Sequence, residues 1–203
     1  MTLIDIGNTT ACVYNNNHTQ RILIKDFNLN NYKEKVFYIS VNNNFNSFPN
    51  NFINLEPYFI LDSNYKGLGI DRIASCYYIK TGIIVDAGSA ITVDKMSNGK
   101  HLGGFILPGI QAYLNTYKNI SPRLEYSLNT DINLKSLPNT TKDAISYGII
   151  TSIITSIKLY ANNDTIYLTG GDSSILQKYF DNPIIEENLI FKGMQKLIND
   201  LNL

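Results

Sequence analysis

The chain has 203 residues, 44% of them hydrophobic, with 17 basic and 17 acidic side chains that balance to a formal net charge of zero. That length admits one or two small domains with a full core. The balanced charge argues against a nucleic-acid-binding stripe or a membrane-seeking face, and Thr151, Ser152, Thr155 and Ser156 interrupt the apolar run from Ile149 to Ile157 before it could span a bilayer.

The first predicted element is a buried strand over residues 1–6, and because the chain opens on Thr2-Leu3-Ile4 no signal peptide is expected. A turn at Gly7-Asn8 leads to a second strand near Ala11 to Tyr14, and Arg21 to Ile24 completes a three-strand meander. Phe27 to Lys35 has a weak helical pattern. Val36 to Val41 is β-branched and aromatic and reads as a strand, as does Tyr58 to Leu61. After Lys66-Gly67-Leu68-Gly69, a helix is expected from Asp71 to about Lys80, with Ile73, Ala74, Tyr77 and Tyr78 as its apolar stripe.

The second half repeats the plan. Ile83 to Asp86 and Ile91 to Asp94 form a hairpin around Gly88. His101 to Leu107 is a strand carrying Gly103-Gly104, and Pro108-Gly109 opens a helix over Ile110 to Asn119. Arg123 to Asn139 reads as a polar, mobile loop. Thr140 caps a helix that runs to about Tyr160 with Asp143 in the capping-box position. Its apolar positions (Ala144, Ile145, Ile149, Ile150, Ile153, Ile154 and Ile157) cover more than one stripe, which predicts burial on several sides, a subunit interface supplying the extra one. Thr165 to Leu168 is a strand ending in Thr169-Gly170-Gly171-Asp172 before a short helix. Pro183 to Glu187 is a short strand, and Asn188 to Leu201 a closing helix. The break between halves falls near Tyr65 to Thr81, giving units of 1–80 and 81–203. Cys12 and Cys76 lack metal-ligand or CxxC spacing and fit a reduced cytoplasm, and His18 and His101 are isolated. The Asn runs at 15–17 and 42–44 suit turns and carry no predicted function.

The chemistry concentrates in an internal repeat. Leu3-Ile4-Asp5-Ile6-Gly7-Asn8-Thr9 and Ile84-Val85-Asp86-Ala87-Gly88-Ser89 each end a strand in Asp-x-Gly, 81 residues apart. Glycine permits close backbone approach, freed N–H groups in such a turn bind anions, and a neighbouring carboxylate can hold Mg²⁺. A single Asp-x-Gly is most often an ordinary hairpin turn. Two copies favour a clamp for a metal-bound polyphosphate. Asp71-Arg72 after Gly67-Leu68-Gly69 supplies a base and an anion-gripping guanidinium, although an Asp there also serves as a helix-end charge.

These residues resemble one family. Asp5-Ile6-Gly7-Asn8-Thr9, Gly69-Ile70-Asp71-Arg72, Asp86 to Asp94, Gly103 to Gly109 and Thr169-Gly170-Gly171 stand in the order seen in type III pantothenate kinases, across nearly the whole chain. The resemblance implies an α/β fold of the actin, sugar-kinase and heat-shock-chaperone superfamily: two ribonuclease H-like domains, each a mixed β-sheet flanked by helices, with the active site in the cleft between them. It implies phosphorylation of pantothenate by ATP with Mg²⁺ and a monovalent cation, K⁺ or NH₄⁺, in a cytoplasmic homodimer. By the same resemblance Asp71 is the catalytic base and Asp5 holds Mg²⁺. Gly7, Asn8, Thr9, Gly88, Ser89 and Thr92 line the phosphate site, with Gly170 and Gly171 admitting the nucleotide. Asp86 holds the monovalent cation. Gly69, Ile70, Asp71 and Arg72 meet the substrate, joined by Thr141 from the partner subunit, although a threonine at a helix start also suits a cap. Ser89 stands where the family usually has Thr, the segment around Gly67 departs from the family pattern, and the first half is short. Another small-molecule kinase of the superfamily, a non-catalytic transcription accessory factor and a chaperone-like ATPase are the rival expectations. Retention of Asp5, Asp71 and Asp86 weighs against an inactive protein, and the chain has no room for a peptide-binding domain.

Overall fold

The strand β1 (Thr2–Ile6) carries apolar Leu3, Ile4 and Ile6 on both of its faces because it lies inside its sheet with both faces covered. In the computed structural model, which describes residues 1–45 and 47–203, β1 pairs antiparallel with β2 (Thr10–Asn15) and parallel with β4 (Val36–Ser40). β3 (His18–Leu23) and β5 (Phe52–Asn54) complete a sheet of order β3-β2-β1-β4-β5. Side chains alternate across a strand. Leu3, Phe37 and Ile39 therefore face one core, with α1 (Ile70–Tyr78) and α5 (Leu189–Leu201), while Ile4, Ile6, Val36 and Tyr38 face another with Phe27 and Phe52.

Two compact units result. The first comprises residues 1–80, 98–101 and 188–203, and the second 81–97 and 102–187. The division expected at residue 80 thus differs at the C-terminus, where α5 joins the first unit. The cause is packing: Phe191, Met194 and Leu197 are buried with Ile70 and Ala74, and Gly193 lies so close to the Ala74 backbone that a Cβ there would collide with it. Within this unit β6 (Asp62–Ser63) pairs with Lys100 and His101, the first residues of β9 (Lys100–Pro108).

The second unit contains β7 (Gly82–Ala87) and β8 (Ala90–Ser97), with strands in the order β11-β10-β7-β8-β9. β10 (Ile166–Thr169) runs parallel to β7, and β11 (Ile184–Ile185) runs parallel to β10. α2 (Ile110–Ile120), α3 (Thr141–Ala161) and the single turn α4 (Ser173–Leu176) follow β9, α2 and β10 in the chain. Ile83, Val85 and Ala87 face a core built largely from α3.

Four expectations need correction. Phe27 to Lys35 is not a helix but lies beside and within two 3₁₀ turns, Ile24–Asp26 and Leu29–Asn31; the Asn28 side chain accepts from the Asn30 N–H and so competes with helical bonding. Tyr58 to Leu61 is not a strand: a 3₁₀ turn over Glu56–Tyr58, with Pro57 in it, replaces the ladder. The 123–139 stretch is anchored, because Leu124, Leu128, Ile132 and Leu134 pack on the α3 core. Finally, Ile145, Ile149, Ile150, Ile153, Ile154 and Ile157 are all buried within their own unit, whereas Ala144 is exposed, so α3 needs no second subunit to cover its isoleucines. By length and composition α3 could cross a membrane, yet its apolar side chains form the centre of a folded core.

Candidate active site

The two Asp-x-Gly copies adopt related but unequal turns. In the first, Ile6 pairs with Ala11 and the Gly7 N–H donates to Thr10 O at 2.9 Å, so Gly7, Asn8, Thr9 and Thr10 form the loop. In the second, Ala87 pairs with Ile91 and the Gly88 N–H donates to Ala90 O at 3.0 Å, leaving only Gly88, Ser89 and Ala90. The 81-residue offset therefore holds up to the glycine and slips by one beyond it. Asp5 stands opposite Cys12 across the ladder, whereas Asp86 stands opposite Thr92, which places a carboxylate and a hydroxyl side by side on one face. Asp5 and Asp86 are both half-buried, and Asn8, Thr9 and Ser89 are exposed at the loop tips.

The duplication extends to the neighbouring strands. In the first unit β4 runs parallel to β1, and the Val41 N–H following it donates to Ile6 O at 3.0 Å. In the second unit β10 runs parallel to β7, and the Asp172 N–H donates to Ala87 O at 2.9 Å. Each Asp is thus followed by a peptide tied to the end of a parallel strand.

Around the second turn the packing is backbone on backbone. Gly170 has a φ of +86° and lies against Asp86 and Ala87: a Cβ there would collide with Asp86 Oδ1 and sit 2.5 Å from Ala87 O. Gly109, at the start of α2, donates its N–H to Ser89 O at 3.2 Å, and its own Cβ would strike the Gly88 and Ser89 carbonyls. The glycine of Thr169-Gly170-Gly171 is therefore required first by the neighbouring Asp86 turn. Gly171 lies exposed beside it.

In the first unit, Gly69 is the N-cap of α1 and Asp71 lies in its first turn. A Cβ on Gly69 would collide with Asp71 Oδ1, so the glycine makes room for that carboxylate. The Arg72 N–H donates to Asp71 Oδ1 at 2.9 Å, so the helix-end role is realised and the carboxylate is held in one orientation. Ile70 and Arg72 are buried, and the Arg72 guanidinium lies 4.9 Å from the Tyr65 ring centroid. That contact was not legible from spacing, since Tyr65 lies in a segment without periodicity.

Thr140, not Thr141, caps α3. Its Oγ1 accepts from the Asp143 N–H at 3.2 Å and donates to Asp143 Oδ2 at 2.8 Å. Asn129 donates to Asp143 Oδ1 at 2.8 Å, and its N–H reaches Ser146 Oγ at 2.8 Å. The Asn129 and Thr140 bonds hold the Asp143 carboxyl below the usual carboxylate range. Thr141 remains exposed at the first helical position, its hydroxyl not needed by the cap.

Two mixed α/β units with an Asp turn at the end of a central strand define the actin-like sugar-kinase and ATPase fold class. A Sinorhizobium meliloti structure described as a 2-dehydro-3-deoxygalactonokinase aligns with it at a TM-score of 0.57 over 98% of both chains and 6% identity, a likeness of fold alone. The chain belongs to the type III pantothenate kinases, phosphotransferases that use ATP: the model of that family matches residues 57–163. It is 49% identical over 203 residues to the type III pantothenate kinase of Campylobacter jejuni subsp. jejuni serotype O:2, covering 98% of this chain and 97% of that one. The crystal structure of a Campylobacter jejuni protein described as a conserved Baf family transcriptional activator superposes at a TM-score of 0.92, with 47% identity and complete coverage of both chains.

Proposed function

We propose that this chain transfers the γ-phosphoryl group of ATP to the primary alcohol of pantothenate, giving phosphopantothenate and ADP, the first step of coenzyme A biosynthesis. The observation that carries the reading is the paired Asp-turn architecture in a chain of this family. Asp71 acts as general base: with Oδ1 held by the Arg72 N–H, Oδ2 accepts the alcohol proton as the alcohol oxygen attacks phosphorus and ADP leaves. Arg72, steadied by Tyr65, holds the anionic end of the substrate, with Gly69 and Ile70 at the pocket edge. Asn8 and Thr9 from one turn, and Ser89 and Thr92 from the other, offer N–H and hydroxyl donors to phosphate oxygens, while Gly7 and Gly88, whose own N–H groups close the turns, line the site as backbone that a phosphate can approach. Gly170 and Gly171 border the nucleotide.

The donor sets suit hard cations, which prefer oxygen ligands. Asp5 would hold Mg²⁺. Asp86, with Thr92 directly opposite, would hold a monovalent cation, K⁺ or NH₄⁺. A magnesium ion held there would supply positive charge to offset that of the phosphates. The working unit in this reading is a cytoplasmic homodimer in which Thr141 reaches the pantothenate pocket of the partner subunit, and neither nucleic acid nor membrane is a partner.

A coupled assay following ADP release, with and without pantothenate and with potassium varied, tests the proposal. Pantothenate-dependent turnover that requires a monovalent cation is expected, with Asp71→Asn slower by ~10²-fold or more while ATP still binds. Turnover by purified Asp71→Asn at the wild-type rate would reduce Asp71 to a helix-end charge. Preference for a sugar in a substrate panel would move the chain to another kinase of its fold class.

A further inference from the structure

Among the described glycines, Gly109 and Gly170 pack on the backbone of the second Asp turn and none packs in that way on the first, where a side chain makes the contact. Asn42 lies two residues beyond β4 and is buried. Its Nδ2 donates to Gly7 O at 3.0 Å. Its Oδ1 accepts from the Asn44 N–H at 2.9 Å, and its own N–H donates to Ser40 Oγ at 3.2 Å. The amide orientation is fixed by these partners: the flipped form would set oxygen against the Gly7 carbonyl and NH₂ against the Asn44 N–H.

The geometry points to Asn42 as the positioning residue of the first phosphate-binding turn, an inference that rests on the proposed kinase reading. A trans peptide directs its C=O and N–H to opposite sides. With Gly7 O anchored inward on Asn42, the N–H of the same peptide, that of Asn8, points away from Asn42. Asn8 is exposed at the loop tip, where an anion would meet it. The neighbouring peptide is pinned as well, by the Val41 N–H on Ile6 O. Asn42 therefore acts on ATP through Gly7 and Asn8 without touching the nucleotide. In the second unit the Gly109 and Gly170 contacts brace the corresponding turn.

Two variants of the full chain test this, assayed beside the wild type: Asn42→Ala, which removes both amide contacts, and Asn42→Asp, which keeps the shape and the acceptor for Asn44 but cannot donate to Gly7. Both are expected to raise the KM for ATP about tenfold, equivalent to about 1.4 kcal/mol and in line with one lost buried hydrogen bond, with the KM for pantothenate within about twofold. Amide exchange in the 5–12 segment should quicken in Asn42→Ala. An unchanged KM for ATP in both variants overturns the assignment. So does a change in Asn42→Ala alone, which would mean that Asn42 only shapes its own loop. A change in Asn42→Asp alone would mean charge repulsion and likewise overturns it. Should Asn42→Ala not fold, Asn42→Asp decides by its salt dependence: repulsion is screened at high salt, whereas a lost donor is not. A wild-type chain without pantothenate-dependent turnover would instead remove the kinase reading itself, and the exchange of the 5–12 segment would then be the remaining test of the brace.

Discussion

Gly170 shows how one residue can matter for its neighbour more than for a ligand. Its φ of +86° disfavours any side chain, and Asp86 and Ala87 fill the space where a Cβ would go. Gly170→Ala is expected to lower the thermal midpoint by several degrees, since left-handed strain and displacement of the Asp86 turn each cost about 1 kcal/mol or more. Calorimetry on the two proteins checks this, and an unchanged midpoint would mean that the turn shifts freely. Asp71 and Gly69 form a comparable pair: glycine in the cap position leaves room for the carboxylate, and the Arg72 N–H orients it. Those residues were legible in the sequence because Gly-x-Asp-Arg is a compact local pattern. Asn42 was not, because it lies in an Asn-rich run and acquires its partner, Gly7, from thirty-five residues away.

At the scale of the element, α3 carries the main revision. Its isoleucines follow the heavy apolar pattern that the sequence displays, and the pattern correctly implies burial on several sides. Those sides are supplied by β7, β8, β10 and the 123–139 stretch of the same unit rather than by a second chain. Ile153 is fully buried among them. Ile153→Glu is therefore expected to unfold the second unit instead of splitting an assembly, because an unpaired buried carboxylate adds to the loss of about 1.5–3 kcal/mol of apolar burial. Loss of the cooperative transition in circular dichroism would be the signature. A folded, stable monomeric variant would show that α3 is reached by solvent. The capping box at Thr140 was predictable from its spacing alone, whereas Asn129, which completes it from the preceding loop, was not.

For the whole molecule, the proposed homodimer must now rest on surfaces other than the α3 isoleucines. The exposed apolar side chains of the second unit include Leu102, Ile106, Leu159 and Tyr160, with Phe105 and Tyr160 in ring contact at 5.8 Å. Sedimentation equilibrium of the wild type is expected to give twice the chain mass. A monomer with full pantothenate-dependent activity would remove both the dimer and the proposed role of Thr141 across it.

The sequence by itself carried the duplicated Asp-x-Gly turns and the order of nearly all strands and helices, because these are written in short-range spacing and period, while the resemblance of its motifs pointed to the family and to the candidate catalytic residues. Only the tertiary structure decided that α5 returns to the first unit, that the two turns differ by one residue, that Gly170 and Gly109 brace one turn, and that Asn42 braces the other. These depend on which surfaces meet after the chain has folded back on itself. Local propensity and periodicity carry no information about a contact between residues thirty-five or more than one hundred positions apart, where close packing and the satisfaction of buried polar groups select the partner.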